Sequence, residues 1–231
     1  MAKESSDLFG TKAAKEERRY YREGESLVSD RLYNAIIGAV LLWGFLVNAY
    51  MCYYWSDDIV QWEPMGIVIG CFISCLLGVA LIRKSKSALI SFLGYNFIVV
   101  PIGMVLSIVL TQFDPELIFR AIVATAIVTA VMLLASTLYP QMFLGLGRTL
   151  GFALITVLIV ELIMIFFFRT TSTVFDWIVV LIFCGYIGYD WSVANQYQKT
   201  VDNAVDSAAD LYLDIINLFL RILRIMGKKR R

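Results

Sequence analysis

Residues 201–226 read VDNAVDSAADLYLDIINLFLRILRIM, a stretch in which a row of carboxylates runs into a segment apolar enough to enter a membrane. Its charged residues are Asp202, Asp206, Asp210, Asp214, Arg221 and Arg224. On a helix that turns by about 100° per residue, steps of four residues drift by about 40°, so these side chains form one polar stripe. A lipid-facing stripe would lack polar partners, so we expect it to face the interior of a helix bundle.

The composition of the whole chain is typical of a multi-pass membrane protein. Of the 231 residues, 59% are hydrophobic and 17% are charged, whereas soluble domains carry about 25% charged residues. The mean hydropathy is +0.73. The formal net charge of +1 gives the chain no general attraction to nucleic acid, so we expect the lipid bilayer to be its main surrounding.

Six segments reach the length of about 20 mostly apolar residues that a membrane helix needs. They lie at about residues 32–55, 65–82, 88–111, 117–138, 147–168 and 174–189. A seventh segment, at about residues 211–226, is shorter and carries the end of the polar stripe. We therefore predict an all-α membrane protein, a seven-transmembrane-helix bundle in which six helices wrap a central C-terminal helix. The predicted parts are an N-terminal tail (1–30), a single transmembrane helical domain (31–226) and a basic C-terminal tail (227–231).

The distribution of lysine and arginine predicts the orientation. Basic residues concentrate in the N-terminal tail, which reads as a solvated segment, and in alternate connections, including Arg83 after the second segment. The positive-inside rule then places the N-terminus in the cytoplasm. Compact loops favour a bacterial inner membrane, with the endoplasmic reticulum left open. The basic residues expected to contact anionic lipid are Lys228, Lys229, Arg230 and Arg231. The tail ends outside if the last segment spans and inside if it returns, and both options stay open.

Two aspartates on neighbouring segments are the candidate pH sensor and gate. Asp190 ends the sixth segment and Asp214 lies just inside the seventh, both towards the same membrane surface. Two carboxylates that meet in a low dielectric share one proton, which supplies a switch near neutral pH in a chain that has no histidine. Carboxylates are also hard oxygen ligands suited to Ca²⁺, so the pair is a candidate calcium contact.

Other ionisable residues are candidates for an ion path or for charge compensation. They are Glu161, in the long apolar run of the fifth segment, together with Asp210, Arg221 and Arg224 on the stripe. For Asp202 and Asp206 a second interpretation, helix capping and pairing with arginine for assembly alone, is favoured.

The run GYDWSVANQYQ (188–198), followed by DLYLDIINLFLRILRIMG (210–227), resembles the C-terminal signature of the Bax inhibitor-1 family. In that signature a Tyr-Asp pair ends one helix, and Leu-Tyr-Leu-Asp-x-Ile-Asn-Leu-Phe follows in the next. The match is dense at residues 189–190 and 211–219, with Arg224 in the trailing position. The remainder of the chain agrees with the family in length and helix pattern.

The resemblance implies a seven-helix protein that leaks Ca²⁺ down its gradient in a pH-sensitive way, without enzymatic activity or a cofactor. It implies that Asp190 and Asp214 form the hydrogen-bonded pair that senses protons and gates the path. It also places family arginines at Arg83 and Arg224. Family members often carry an acidic residue in the second helix, which this chain lacks, and whether Glu161 substitutes for it is left open.

Three other function classes compete with the channel. Two membrane aspartates are also found in intramembrane aspartyl proteases, but their second aspartate follows Gly-x-Gly, and here Leu211, Tyr212 and Leu213 precede Asp214. A proton-coupled transporter would use the same pair of carboxylates. A regulatory binding protein would instead use its basic ends to contact partners or lipid.

Overall fold

The computed structural model describes Arg18 and residues 26–59, 61, 63–169 and 173–227. Within these ranges every regular element is a helix. The helices are α1 (Asp30–Tyr54), α2 (Ser56–Ile59), α3 (Pro64–Lys84), α4 (Ala88–Leu110), α5 (Pro115–Leu138), α6 (Pro140–Phe168), α7 (Thr173–Ala194) and α8 (Val201–Gly227). Among the described residues, six helices are long and apolar enough to cross a membrane: α1, α3, α4, α5, α6 and α7. The predictions of an all-α, multi-pass membrane protein with six clear spans are confirmed.

Two helices extend well beyond their predicted apolar segments. Helix α6 begins at Pro140 rather than at residue 147, because proline is favoured in the first turn of a helix, where its missing N–H is not needed. Helix α7 continues to Ala194 rather than ending at residue 189. The prediction followed hydropathy, which falls at Asp190 although the helix does not end there.

Helix α8 carries the polar stripe and is buried along most of its length. It starts at Val201, ten residues before the predicted apolar segment, and every residue from 202 to 227 except Arg224 is buried or half-buried. Asp206 is 0% exposed and Asp214 is 6% exposed. The expectation that the stripe faces protein rather than lipid is confirmed at these two positions. The wrapping of α8 by six helices stays a prediction.

The chain divides into two compact units. The first comprises Met1–Ile108 with Gln196–Ala209, and the second comprises Val109–Asn195 with Asp210–Arg231. In the first unit, α3 and α4 approach closely at two glycines, since a Cβ on Gly78 would lie 2.5 Å from the carbonyl oxygen of Gly94. A separate apolar cluster in that unit is formed by the buried residues Met51, Ile59 and Ile67.

The prediction of a solvated N-terminal tail is wrong at one residue, Arg18. Arg18 is only 8% exposed, because its guanidinium group pairs with a buried carboxylate. The other residues of the tail before residue 26, and the basic residues 228–231, lie outside the described part of the chain. The predicted lipid contact of those basic residues therefore stays a prediction.

Candidate functional site

Asp190 lies near the end of α7 in a segment that is packed tightly against two other helices. A Cβ on Gly188 would lie 2.3 Å from the ring of Phe143, and a Cβ on Gly147 would lie 2.5 Å from the ring of Tyr189. Trp191 donates a hydrogen bond from Nε1 to Oγ1 of Thr137 on α5 (2.9 Å). These contacts, just before and just after Asp190, fix the position of its backbone relative to α5 and α6.

Asp214 lies in the buried middle of α8. Its neighbours Leu211 (1% exposed), Tyr212 (0%) and Leu218 (0%) belong to the core. Asp190 is half-buried, and both aspartates fall within the second compact unit. A direct pair between the two carboxylates stays a prediction.

Three helices of the second unit bring four charged side chains together. Glu161 of α6 accepts two hydrogen bonds from Arg221 of α8, at 2.5 Å (Nη1 to Oε1) and 2.8 Å (Nη2 to Oε2). Arg221 Nη1 also donates to Oδ1 of Asp176 on α7 (3.0 Å). Arg224 Nη1 reaches the same oxygen at 3.3 Å. We call Glu161, Asp176, Arg221 and Arg224 the charge cluster.

The charge cluster is neutral and mostly sheltered from solvent. Its two carboxylates balance its two guanidinium groups, and the side chains of Arg221, Glu161 and Asp176 are 13%, 18% and 2% exposed. The two parallel hydrogen bonds to Glu161 use the planar fork of the guanidinium group, a geometry that lysine cannot reproduce. The arrangement therefore ties α6, α7 and α8 together. The roles of Glu161 and Arg221 in an ion path or in charge compensation stay predictions.

Asp176 is the member of this cluster that the sequence analysis did not single out. It stands in the first turn of α7, where an acidic residue is ordinarily explained by the positive end of the helix dipole. Asp176 could have been found from its position near the α6–α7 connection, because Glu161 lies in the helix before that connection and Asp176 lies in the helix after it. Two acidic residues near the same connection lie at a similar depth along the two helices that it joins.

Two other predicted residues, Arg83 and Asp210, are not members of the charge cluster. Arg83 is half-buried in the last turn of α3, which belongs to the first compact unit. Asp210 is half-buried on α8, at the start of the segment that belongs to the second unit. Their roles in an ion path stay predictions.

The first half of the aspartate row makes structural contacts. Asp202 accepts a hydrogen bond from Oγ of Ser91 (2.7 Å), and Asp206 pairs with Arg18. These contacts agree with the interpretation that Asp202 and Asp206 serve assembly. In the connection before α8, burial lowers the pKa of the Lys199 ammonium group, and the charge of Asp30 acts in the opposite direction.

The number of available oxygen ligands bears on the role of calcium. Within the described ranges, no three or more Cys, Asp and Glu side chains group so as to hold a metal ion. Asp190 and Asp214 supply at most four carboxylate oxygens, whereas Ca²⁺ takes about six to eight oxygen ligands. We therefore consider Ca²⁺ as an ion that passes these residues rather than as a resident cofactor.

Six helices that are long and apolar enough to cross a membrane, with buried ion pairs among the described residues, define a multi-pass integral membrane protein. A model of the family described as "Inhibitor of apoptosis-promoting Bax1" matches residues 26–231. The chain therefore belongs to the Bax inhibitor-1 family, and the resemblance drawn from the C-terminal signature is confirmed.

Individual relatives match over different lengths. The chain is 32% identical over 174 residues to Bax inhibitor 1 of Schizosaccharomyces pombe, which covers 73% of this chain and 64% of that protein. It is 35% identical over 119 residues to Protein LIFEGUARD 1 of Arabidopsis thaliana, which covers 47% of this chain and 49% of that protein. It is 27% identical over 219 residues to YrjE of Lactococcus lactis, which covers 89% and 92%. The chain thus spans about half to two thirds of the first two relatives.

Proposed function

We propose that this protein is a pH-sensitive Ca²⁺ leak channel in which Asp190 and Asp214 form a proton-sharing gate. The observation that carries the proposal is the burial of Asp214, which is 6% exposed in a helix otherwise lined by core residues. A carboxylate kept there at the expense of solvation is typical of a functional residue in a membrane protein. Membership of the Bax inhibitor-1 family supports the same assignment.

The proposed gate works through the charge of the aspartate pair. With one proton shared, the two carboxyl groups attract each other through a hydrogen bond and hold α7 and α8 together. Without that proton two negative charges repel each other in a low dielectric, and the helices separate. Protonation therefore favours the closed state, so the leak increases as the pH rises through the titration of the pair.

The charge cluster supports this mechanism because its opposite charges are paired with one another. Arg221 is bound by Glu161 through both terminal nitrogens, and Asp176 contacts Arg221 and Arg224. Since the four charges sum to zero, the cluster offers a passing cation no net charge. In the proposed mechanism the pair at Asp190 and Asp214 supplies the charge that changes with pH.

Calcium flux in proteoliposomes tests the proposal. We expect wild-type protein to leak more Ca²⁺ at pH 8 than at pH 6, by about tenfold if the proton shifts the gate by about 1.4 kcal/mol. Asp190→Asn and Asp214→Asn should each remove most of that pH dependence, because one titrating carboxyl group is gone. Asp58→Asn, at an exposed aspartate, is the matched control. Equal flux and equal pH response in wild type and both gate variants would contradict the gate.

The same preparation separates the alternatives. Saturable uptake driven by a pH gradient would indicate a proton-coupled transporter. Cleavage of a membrane substrate that is lost with either Asp→Ala change would indicate a protease.

A further inference from the structure

The side chain of Arg18 is buried in the first compact unit. The residue is 8% exposed, and its guanidinium group forms an ion pair with Asp206, which is 0% exposed. Its Nη2 also donates to the carbonyl oxygen of Ile82 in the last turn of α3 (3.3 Å). The guanidinium carbon lies 5.8 Å from the centre of the Tyr197 ring. Three kinds of group that attract a cation therefore converge on one side chain: a carboxylate, a helix C-terminal carbonyl and an aromatic face.

The main chain of Arg18 is held as well as its side chain. Its carbonyl oxygen accepts hydrogen bonds from the backbone N–H of Gln198 (3.0 Å) and from Nδ2 of Asn203 (3.4 Å). Gln198 lies in the connection before α8, and Asn203 lies in the first turn of that helix. Backbone recognition of this kind fixes the position from which the arginine side chain reaches Asp206.

The helix turn that carries Asp206 is also packed against Tyr33 of α1. The hydroxyl group of Tyr33 lies 3.1 Å from Oγ of Ser207 and donates to the carbonyl oxygen of Asn203 (3.4 Å). Tyr33 is 0% exposed and Ser207 is 3% exposed. The carboxylate of Asp206 is therefore presented by a packed helix turn rather than by a mobile loop.

Arg18 lies outside the region that the family model matches. The family model matches residues 26–231, which include Asp206, Tyr197 and Ile82 but not Arg18. A wholly buried carboxylate needs a compensating cation, because an unpaired charge in the interior is strongly destabilising. In this chain one such cation is Arg18, which precedes the matched region.

We propose that Asp206, Tyr197 and the carbonyl group of Ile82 form a guanidinium-binding site whose occupant is Arg18 of the chain's own N-terminal segment, and that this occupancy restrains the leak. The second clause rests on the proposed function. Asp206 precedes Asp214 by eight residues in α8. With Arg18 bound, its positive charge offsets that of the Asp206 carboxylate and weakens the attraction for a passing Ca²⁺, whereas withdrawal of Arg18 removes that compensation.

Limited trypsin digestion of the full-length protein in liposomes tests the contact without any flux measurement. Trypsin must take the arginine side chain into its own pocket, so bound Arg18 is protected. We expect Asp206→Asn to speed cleavage after Arg18 by about tenfold or more, read by mass spectrometry, because about 1.4 kcal/mol of lost binding raises the small unbound fraction of Arg18 about tenfold. The matched control is Asp202→Asn, one turn earlier on α8, which contacts Ser91 instead.

A double-mutant cycle measured by thermal unfolding distinguishes loss of this contact from a general loss of folding. Arg18→Met and Asp206→Asn should each lower Tm, and the double variant should lose less than the sum of the two, since the partners interact directly. Equal cleavage rates in wild type and Asp206→Asn, or additive losses of Tm, would overturn the binding site whether or not the protein conducts Ca²⁺.

Flux measurements then test the restraint. Arg18→Met should raise Ca²⁺ leak at neutral pH by about tenfold, and Arg18→Lys, which keeps the charge but not the planar fork, should raise it less. A synthetic peptide of residues 11–25 should restore the low leak of Arg18→Met, and the same peptide with Arg18→Ala should not. Unchanged leak in Arg18→Met, beside a confirmed contact, would overturn the restraint. An absence of leak from every variant, wild type included, would reject the channel and with it the restraint, while the digestion result would still decide the site.

Discussion

Arg221 is the residue at which the charges of three helices meet. Its guanidinium group bonds Glu161 through two parallel contacts and Asp176 through a third. In a region shielded from water these contacts are individually strong, but they stabilise the protein chiefly because the loss of one partner would leave another charge buried. The cluster thus acts as a unit, and changes to its members should not be additive.

We expect Arg221→Met and Glu161→Gln each to lower the free energy of unfolding towards the lower end of about 3–5 kcal/mol, because each leaves a sheltered charge without its partner. Arg221→Lys should cost less than Arg221→Met but should not restore wild-type stability, since one ammonium group cannot make the parallel contacts. Denaturant or thermal unfolding in detergent measures these values.

The matched control is the exposed pair Arg120–Glu116 on α5, whose side chains are 65% and 75% exposed, respectively, at the same 2.5 Å separation. Arg120→Met should change stability by about 1 kcal/mol or less, because solvent screens an exposed pair. Equal losses of stability in Arg120→Met and Arg221→Met would contradict the view that burial, rather than the distance between the charged groups, determines how much an ion pair stabilises the protein.

The sequence indicated some of these residues and not others for identifiable reasons. Asp214 was predictable because its spacing places it on a stripe that has no favourable position in lipid. Asp176 was not, since it lies 45 residues from Arg221 and reads as an ordinary helix-start acid. Arg18 was not, because a charged segment carries no periodic pattern from which a buried partner could be inferred.

At the level of elements, the α6–α7 interface determines where Asp190 is placed. Glycines on both helices remove side-chain bulk where the rings of Phe143 and Tyr189 approach the opposite backbone. Close approach through small residues is a common way to pack membrane helices, where no hydrophobic effect drives association. The position of Asp190, the proposed gate residue, therefore depends on the packing of the two residues that precede it.

We expect Gly188→Ala to lower Tm and to shift the pH dependence of Ca²⁺ flux, because the new Cβ would lie 2.3 Å from Phe143 and force α7 away from α6. Gly145→Ala, also in a membrane helix but with nothing within 4 Å of its Cβ, is the control and should leave both unchanged. Phe143→Leu combined with Gly188→Ala should recover part of the loss. A wild-type pH response in Gly188→Ala would show that this packing does not position the gate.

Hydropathy predicted the existence of the helices better than their ends. The six spans follow from runs of apolar residues that only a membrane or a large core accommodates. The early start of α6 and the late end of α7 follow instead from a proline at the first turn and from polar residues that a helix tolerates when neighbours shelter them. The long polar start of α8 was missed for the same reason, since residues 201–210 are too polar to register as a membrane segment.

For the molecule as a whole, the orientation is the property that the charges of the connections predict most directly. We expect an N-terminal reporter to be active only in the cytoplasm, because lysine and arginine concentrate in the tail and in alternate connections. A reporter placed after residue 231 decides whether α8 crosses the bilayer. An N-terminal reporter active only on the far side would overturn the predicted orientation and the side assigned to the gate.

The burial of Arg18 has a practical consequence for anyone who prepares this protein. The family model matches from residue 26, and trimming a gene to that boundary is a natural choice for expression. Such a shortened protein would lose the guanidinium group that pairs with the buried carboxylate of Asp206. Preparations that begin at residue 26 should therefore be less heat-resistant, and more sensitive to added guanidinium salts, than preparations of the entire chain.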